Sequence, residues 1–146
     1  MRARHRRKAA VLIAAVVACG AIALVFARRE SDRVHVAVWR YQIASHSGFR
    51  GTQVCVGLRD PNPDVTTAAA DPSLDAVALL RSVGANVVPV SKCADSAVEL
   101  ILGPVTYRSP WEAAVEGATD VGGYRYHVTR SSGIWRVRGA DVTWIQ

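Results

Sequence analysis

A run of 19 residues without a charge, AAVLIAAVVACGAIALVFA from Ala9 to Ala27, limits what this chain can become. As a helix rising 1.5 Å per residue it is about 28 Å long, close to the ~30 Å hydrocarbon core of a bilayer. A charge at the bilayer centre costs about 2.5–3.5 kcal/mol, and the run holds none. Arg2, Arg4, Arg6, Arg7 and Lys8 precede it. Behind it, Arg28, Arg29 and Arg33 face Glu30 and Asp32. That asymmetry predicts an N-terminus inside and a C-terminus outside. Residues 1–33 thus read as a basic leader and a single transmembrane helix, a signal anchor in contact with the lipid bilayer through residues 9–27.

Two other fates compete with the anchor. Val25-Phe26-Ala27 places small residues where a signal peptidase reads, but the run exceeds the usual 7–15-residue apolar region. Val16-Val17-Ala18-Cys19 is similar to a bacterial lipobox, but Gly20 to Ala27 stays apolar where a lipoprotein continues into a polar tether. The basic residues are sixteen Arg and two Lys, a pattern of GC-rich coding that, with the short leader, suggests a bacterium. The expected location is the inner membrane, single-pass, with the C-terminal domain periplasmic or extracellular.

The net charge of +6 invites a nucleic-acid reading, and its distribution argues against one. The leader supplies five positive charges and residues 28–33 one more. From Val34 onward ten basic residues meet ten acidic ones. A neutral domain has little to exchange for phosphate counterions, so no nucleic-acid partner is expected.

Removing 33 of 146 residues leaves 113, enough for one domain with one core. That domain, residues 34–146, carries two cysteines, Cys55 and Cys93. An even count in an exported domain predicts a disulfide. The histidines are scattered and no CxxC is present, so no metal site is predicted.

Periodicity gives an α+β order with an antiparallel sheet packed by one helix. Residues 34–44, VHVAVWRYQIA, alternate and read as a strand; residues 52–58, TQVCVGL, read as a second, ended by Asp60-Pro61-Asn62-Pro63-Asp64. Asp71-Pro72 opens a helix, Asp71 as cap and Pro72 at its first position, with Leu74, Val77, Ala78, Leu80 and Val83 as its stripe and Gly84 at its end. Residues 86–90 are a short edge piece because of Pro89. Residues 98–107 form a strand bulged at Gly103-Pro104, and residues 111–116 another. Residues 124–130 and 134–144 form a hairpin across Ser131-Ser132-Gly133. In it Trp135 and Val137 face the core, and Arg136 and Arg138 face solvent.

No GxSxG, HExxH, P-loop or GxGxxG is present, and no catalytic or cofactor-binding residue is assigned. His127, on a strand opposite Tyr126 and Val128, is the one histidine to weigh as an acid–base group. The candidate interaction surface is Trp111, after Ser109-Pro110, with Arg125, Arg136 and Arg138 along the hairpin.

From Cys55 onward the order of marks is specific. It runs Val54-Cys55-Val56, Asp71-Pro72-Ser73, Leu79-Leu80, Val88-Pro89-Val90-Ser91-Lys92-Cys93, then Gly133-Ile134-Trp135-Arg136-Val137. This resembles small uncharacterised bacterial envelope proteins with a Cys…Asp-Pro-Ser…Pro-x-Ser-x-Cys…Gly-x-Trp-x-Val pattern. The terminal hairpin is also similar to that of nuclear-transport-factor-2-like folds, but those usually start with helices, where this chain is expected to start with a strand. The resemblance implies export and the disulfide, and no activity. The expected function is a non-enzymatic binding or interaction module, inhibitor or immunity type, with an envelope protein as partner. The alternative is a small hydrolase-like enzyme or a ligand-binding pocket on a curved sheet. A pocket joining His127 to a carboxylate favours the alternative; a filled sheet with an exposed Trp111 favours the first.

Overall fold

The computed structural model describes residues 2–46, 49, 52–59, 68–94, 97–119 and 122–145, with the side chains of residues 2–12 left out. The cluster Asp60 to Asp64 and most of the Ser45 to Gly51 turn lie outside the described residues. The chain divides into two units, Met1–Ser31 and Asp32–Gln146.

The first unit is helical throughout its described length, part of helix α1 (Arg2–Ser45). Its large apolar side chains Ile13, Val16, Val17, Ile22, Leu24, Val25 and Phe26 are all exposed. Among the described residues no helix is long and apolar enough to cross a membrane.

In the second unit α1 continues to Ser45, and this corrects the strand expected over residues 34–44. Alternation of valines there is real, yet the same residues also satisfy a helical period. Val34, Val38 and Gln42 recur every fourth residue, with His35 and Trp39 beside them, and all five are buried. No Gly or Pro interrupts the chain from Ala21 to Ser45, and β-branching lowers helix propensity only slightly. Burial of a whole helical stripe therefore outweighs the local preference for strand.

A six-stranded sheet follows, in the order β2-β1-β3-β4-β5-β6. Its strands are β1 (Val54–Leu58), β2 (Val87–Pro89), β3 (Val98–Ser109), β4 (Glu112–Thr119), β5 (Gly122–Ser131) and β6 (Ile134–Ile145). The sheet is mixed, which corrects the antiparallel expectation. Both β2 and β3 run parallel to β1, and β3 to β6 form an antiparallel meander. Parallel neighbours need crossovers. Helix α2 (Leu74–Ser82) supplies the first. A 3₁₀ turn (Val90–Lys92) and the segment after it supply the second. Pro89 lies in the edge strand β2, where its missing N–H removes no central ladder bond.

Two helices, not one, contribute to the core. Val34, Val38 and Trp39 of α1 and Ala76, Val77 and Leu80 of α2 belong to one buried cluster. That cluster also contains Val54, Val56, Leu100, Leu102, Val115, Tyr126, Val128 and Trp135 from the sheet. The contact of α1 with the sheet is partly polar. The Trp39 indole N–H donates to the Leu100 carbonyl at 3.2 Å, and Gln42 Nε2 donates to the Tyr126 hydroxyl at 3.0 Å. His35 Nε2 lies 2.9 Å from the Gly103 carbonyl, inside the β3 irregularity between Leu102 and Val105.

The cap of α2 falls two residues later than expected. Ser73 is the N-cap, its Oγ accepting from the Ala76 amide at 3.1 Å and donating to Asp32 Oδ2 at 2.7 Å. Asp71 instead accepts from the Ser91 amide (2.9 Å) and hydroxyl (2.6 Å). Gly84, just past the helix, has φ +83°, which glycine adopts without steric cost.

Cys55 and Cys93 are joined by a disulfide with Cα atoms 5.7 Å apart. Val54 and Val56 point into the core, so alternation puts Cys55 on the opposite, outer face of the sheet. The bond therefore ties β1 to the segment that follows β2.

Candidate functional site

The outer face of β4, β5 and β6 gathers the charged groups of the hairpin. Tyr126 and Val128 face the core, so Arg125, His127 and Thr129 face outward. Register places Arg125 between Glu116 and Asp141, and His127 between Ala114 and Gly139. The Arg125 guanidinium pairs with Glu116, its Nε donating at 3.1 Å, and this hydrogen bond raises its pKa above the ordinary value. His127 Nε2 sits 2.7 Å from Asp141 Oδ2. Arg138 Nε donates to Thr129 Oγ1 at 3.1 Å, and Arg136 lies opposite Thr129.

The expected surface is thus partly assembled. Arg125, Arg136 and Arg138 reach one face. Trp111 stands in the β3–β4 turn, 63% exposed, where its carbonyl accepts from the Arg130 amide at 2.8 Å. The sequence could not show that Glu116 would occupy Arg125 and Asp141 would occupy His127, because that depends on cross-strand register. Arg125 is paired with Glu116, and Arg136 and Arg138 are exposed cations of the group.

His127 and Asp141 have the spacing of an oriented acid–base pair. They sit on an open sheet, the carboxylate mostly exposed. The register neighbours of His127 carry no nucleophile, being Ala114 and Gly139. General acid–base chemistry needs a substrate held within hydrogen-bond reach of such a pair.

A cavity of about 440 Å³ lies elsewhere, and His127 does not line it. Helix α1 contributes Arg40, Ile43 and Ala44, one face at spacings of three and four. Phe49, Thr52 and Val54 follow, and Val83 to Val87 close the far side. Val54 and Val87 belong to the core cluster, so the floor is fixed by packing. The Phe49 ring is stacked on His46, centroids 5.0 Å apart. Sequence reasoning missed this cavity because a strand over residues 34–44 puts Ile43 on the face opposite Arg40 and Ala44. The helical recurrence of Val34, Val38 and Gln42 was the signal for it.

Among the described residues no group of three or more His, Cys, Asp or Glu side chains is placed to hold a metal ion. Comparison with known proteins returns no match to any family model, curated protein or solved structure.

Proposed function

We propose that this chain is a membrane-anchored envelope domain that acts as a non-enzymatic binding module for another envelope protein. The anchor reading rests on the 19-residue uncharged run between basic flanks and on the exposure of its described apolar side chains. Lipid is the medium in which such exposure costs nothing. The bacterial envelope pattern around Cys55 and Cys93 supports the same location.

The observation that carries the binding reading is the outer face of β4–β6. On it Arg125 pairs with Glu116 and His127 with Asp141 across strands, Ala114 and Gly139 flank His127, Arg136 and Arg138 are exposed, and Trp111 stands in the adjoining turn. Trp and Arg are the residues most enriched among energetically dominant interface contacts. The His127–Asp141 pair is the one feature favouring a hydrolase-like reading.

The test is co-purification of the full chain from native membranes, run beside Arg136→Glu and Trp111→Ala. A protein retained by wild type and lost from both folded variants supports the module. Retention unchanged in both removes this face from the binding surface. Hydrolysis of a model ester abolished by His127→Ala would replace the module with the enzyme. N-terminal sequencing of membrane-extracted protein tests the anchor; a start at Arg28 or a lipidated Cys19 overturns it.

A further inference from the structure

We propose that the cavity beside the C-terminal turn of α1 binds a single-chain amphiphile with an anionic head. The head meets Arg40, and the chain lies against Ile43, Phe49 and Val87. The proposal deepens the binding-module reading and rests on it, but uses a different surface.

Size and lining argue first. A volume of about 440 Å³ falls within the ~300–1,000 Å³ of sites for small organic ligands. Most of the lining residues are apolar: Ile43, Ala44, Phe49, Val54, Val83 and Val87. Two of them, Val54 and Val87, are almost fully buried, so the floor is preorganised by the core rather than built by the ligand.

Charge argues second. Among the described residues that line the cavity, Arg40 is the charged one. Among the described residues it has no ion-pair partner, whereas Arg125 is held by Glu116. No carboxylate is among the described residues that line the cavity to compete with a bound anion. The partial negative charge at the end of α1 fades within the last turn, and Arg40 lies five residues before Ser45. A guanidinium at the margin of an apolar pocket favours a carboxylate or phosphate over a neutral head.

The chemistry is shared by a carboxylate-headed and a phosphate-headed chain, so the experiment separates them. Full-length protein in lipid nanodiscs is labelled with a diazirine-bearing decanoate, and the labelled peptides are mapped by mass spectrometry. Octanoate, octyl phosphate and octanol are the competitors. Labelling is expected near Phe49 or over residues 83–87, displaced by an anionic competitor and at least tenfold less well by octanol. The better anion identifies the head group. Arg40→Gln should weaken anionic competition about tenfold, Arg40→Lys should restore most of it, and Ala44→Trp should abolish cavity labelling. All variants must melt like wild type. Labelling confined to residues 9–27, equal displacement by octanol, or an unaffected Arg40→Gln overturns the proposal. If cavity labelling fails while an Arg136→Glu-sensitive partner is still retained, the cavity assignment alone falls. If both fail, the binding reading falls with it.

Discussion

Trp135 shows how much one side chain of a small domain can carry. It is 6% exposed, its ring centroid lies 6.1 Å from that of Tyr107, and the Arg130 guanidinium sits 5.8 Å above it. Truncating a buried Trp costs about 3–5 kcal/mol. Trp135→Ala should therefore unfold or severely destabilise the domain, while Arg136→Ala, exposed beside it, should leave a urea melt unchanged. His35 gives the domain a pH dependence. The Gly103 carbonyl only accepts, so Nε2 carries the proton, and Nδ1 is left buried without a partner among the described residues. Burial holds the His35 pKa below its ordinary 6.5, against smaller opposing effects from the Gly103 carbonyl and Asp32. The unfolded chain then binds a proton that the folded chain refuses. Stability from His35 is full above 6.5 and falls as pH drops below it. The urea midpoint should decline between about pH 7.5 and about pH 5, and His35→Phe should flatten that part of the curve. Tyr126 shifts the other way: burial pushes its phenol up to about 12, despite the hydrogen bond from Gln42. Ultraviolet titration should find one tyrosine that ionises only there, and Gln42→Ala should not bring it into the ordinary range.

At the scale of elements, the hairpin was legible and the first helix was not. The β5–β6 turn consists of Ser132 and Gly133, with φ of 51° and 77°. Two positive φ values at the centre of a two-residue loop match the primed turns that suit twisted hairpins. Ser131, expected in the loop, instead pairs with Ile134. Asn tolerates the left-handed region better than Ser, so Ser132→Asn should stabilise the domain by about 0.5 kcal/mol in a urea melt. Residues 124–144 could be read from sequence because turn chemistry and alternation are both local. Residues 34–44 could not, because strand and helix periods both fit, and only the sheet beneath Val34, Val38 and Trp39 decides between them. The parallel pairing of β1 with β2 and β3 was hidden for a related reason: direction depends on where the crossovers land. The cavity inherits both problems, being made by a misread helix and the far end of α2. Gly123 on β5 is a site of close approach. A Cβ there would collide with the Trp144 ring, so Gly123→Ala should lower the melting temperature.

At the scale of the molecule, the end of α1 from Asp32 is part of the second unit's fold and not a tether to it. Asp32 accepts from Ser73, and Val34, Val38 and Trp39 lie in the same cluster as the sheet. A chain beginning at residue 46 should fail to fold, and one beginning at residue 30 should give a cooperative melt; circular dichroism decides it. The disulfide closes 38 residues, for which chain entropy gives about 4 kcal/mol. Cys55→Ala with Cys93→Ala should lower stability by up to that amount. The Cys55–Cys93 bond also changes what a cut means. It makes β1, α2 and β2 a covalent ring, with the rest of the chain leaving from its two ends. A protease that severs the backbone anywhere between those cysteines breaks the sequence without dividing the molecule. The two pieces should migrate as one band until a reductant is added, and a single nick in the ring need not release the C-terminal meander from the N-terminal helix.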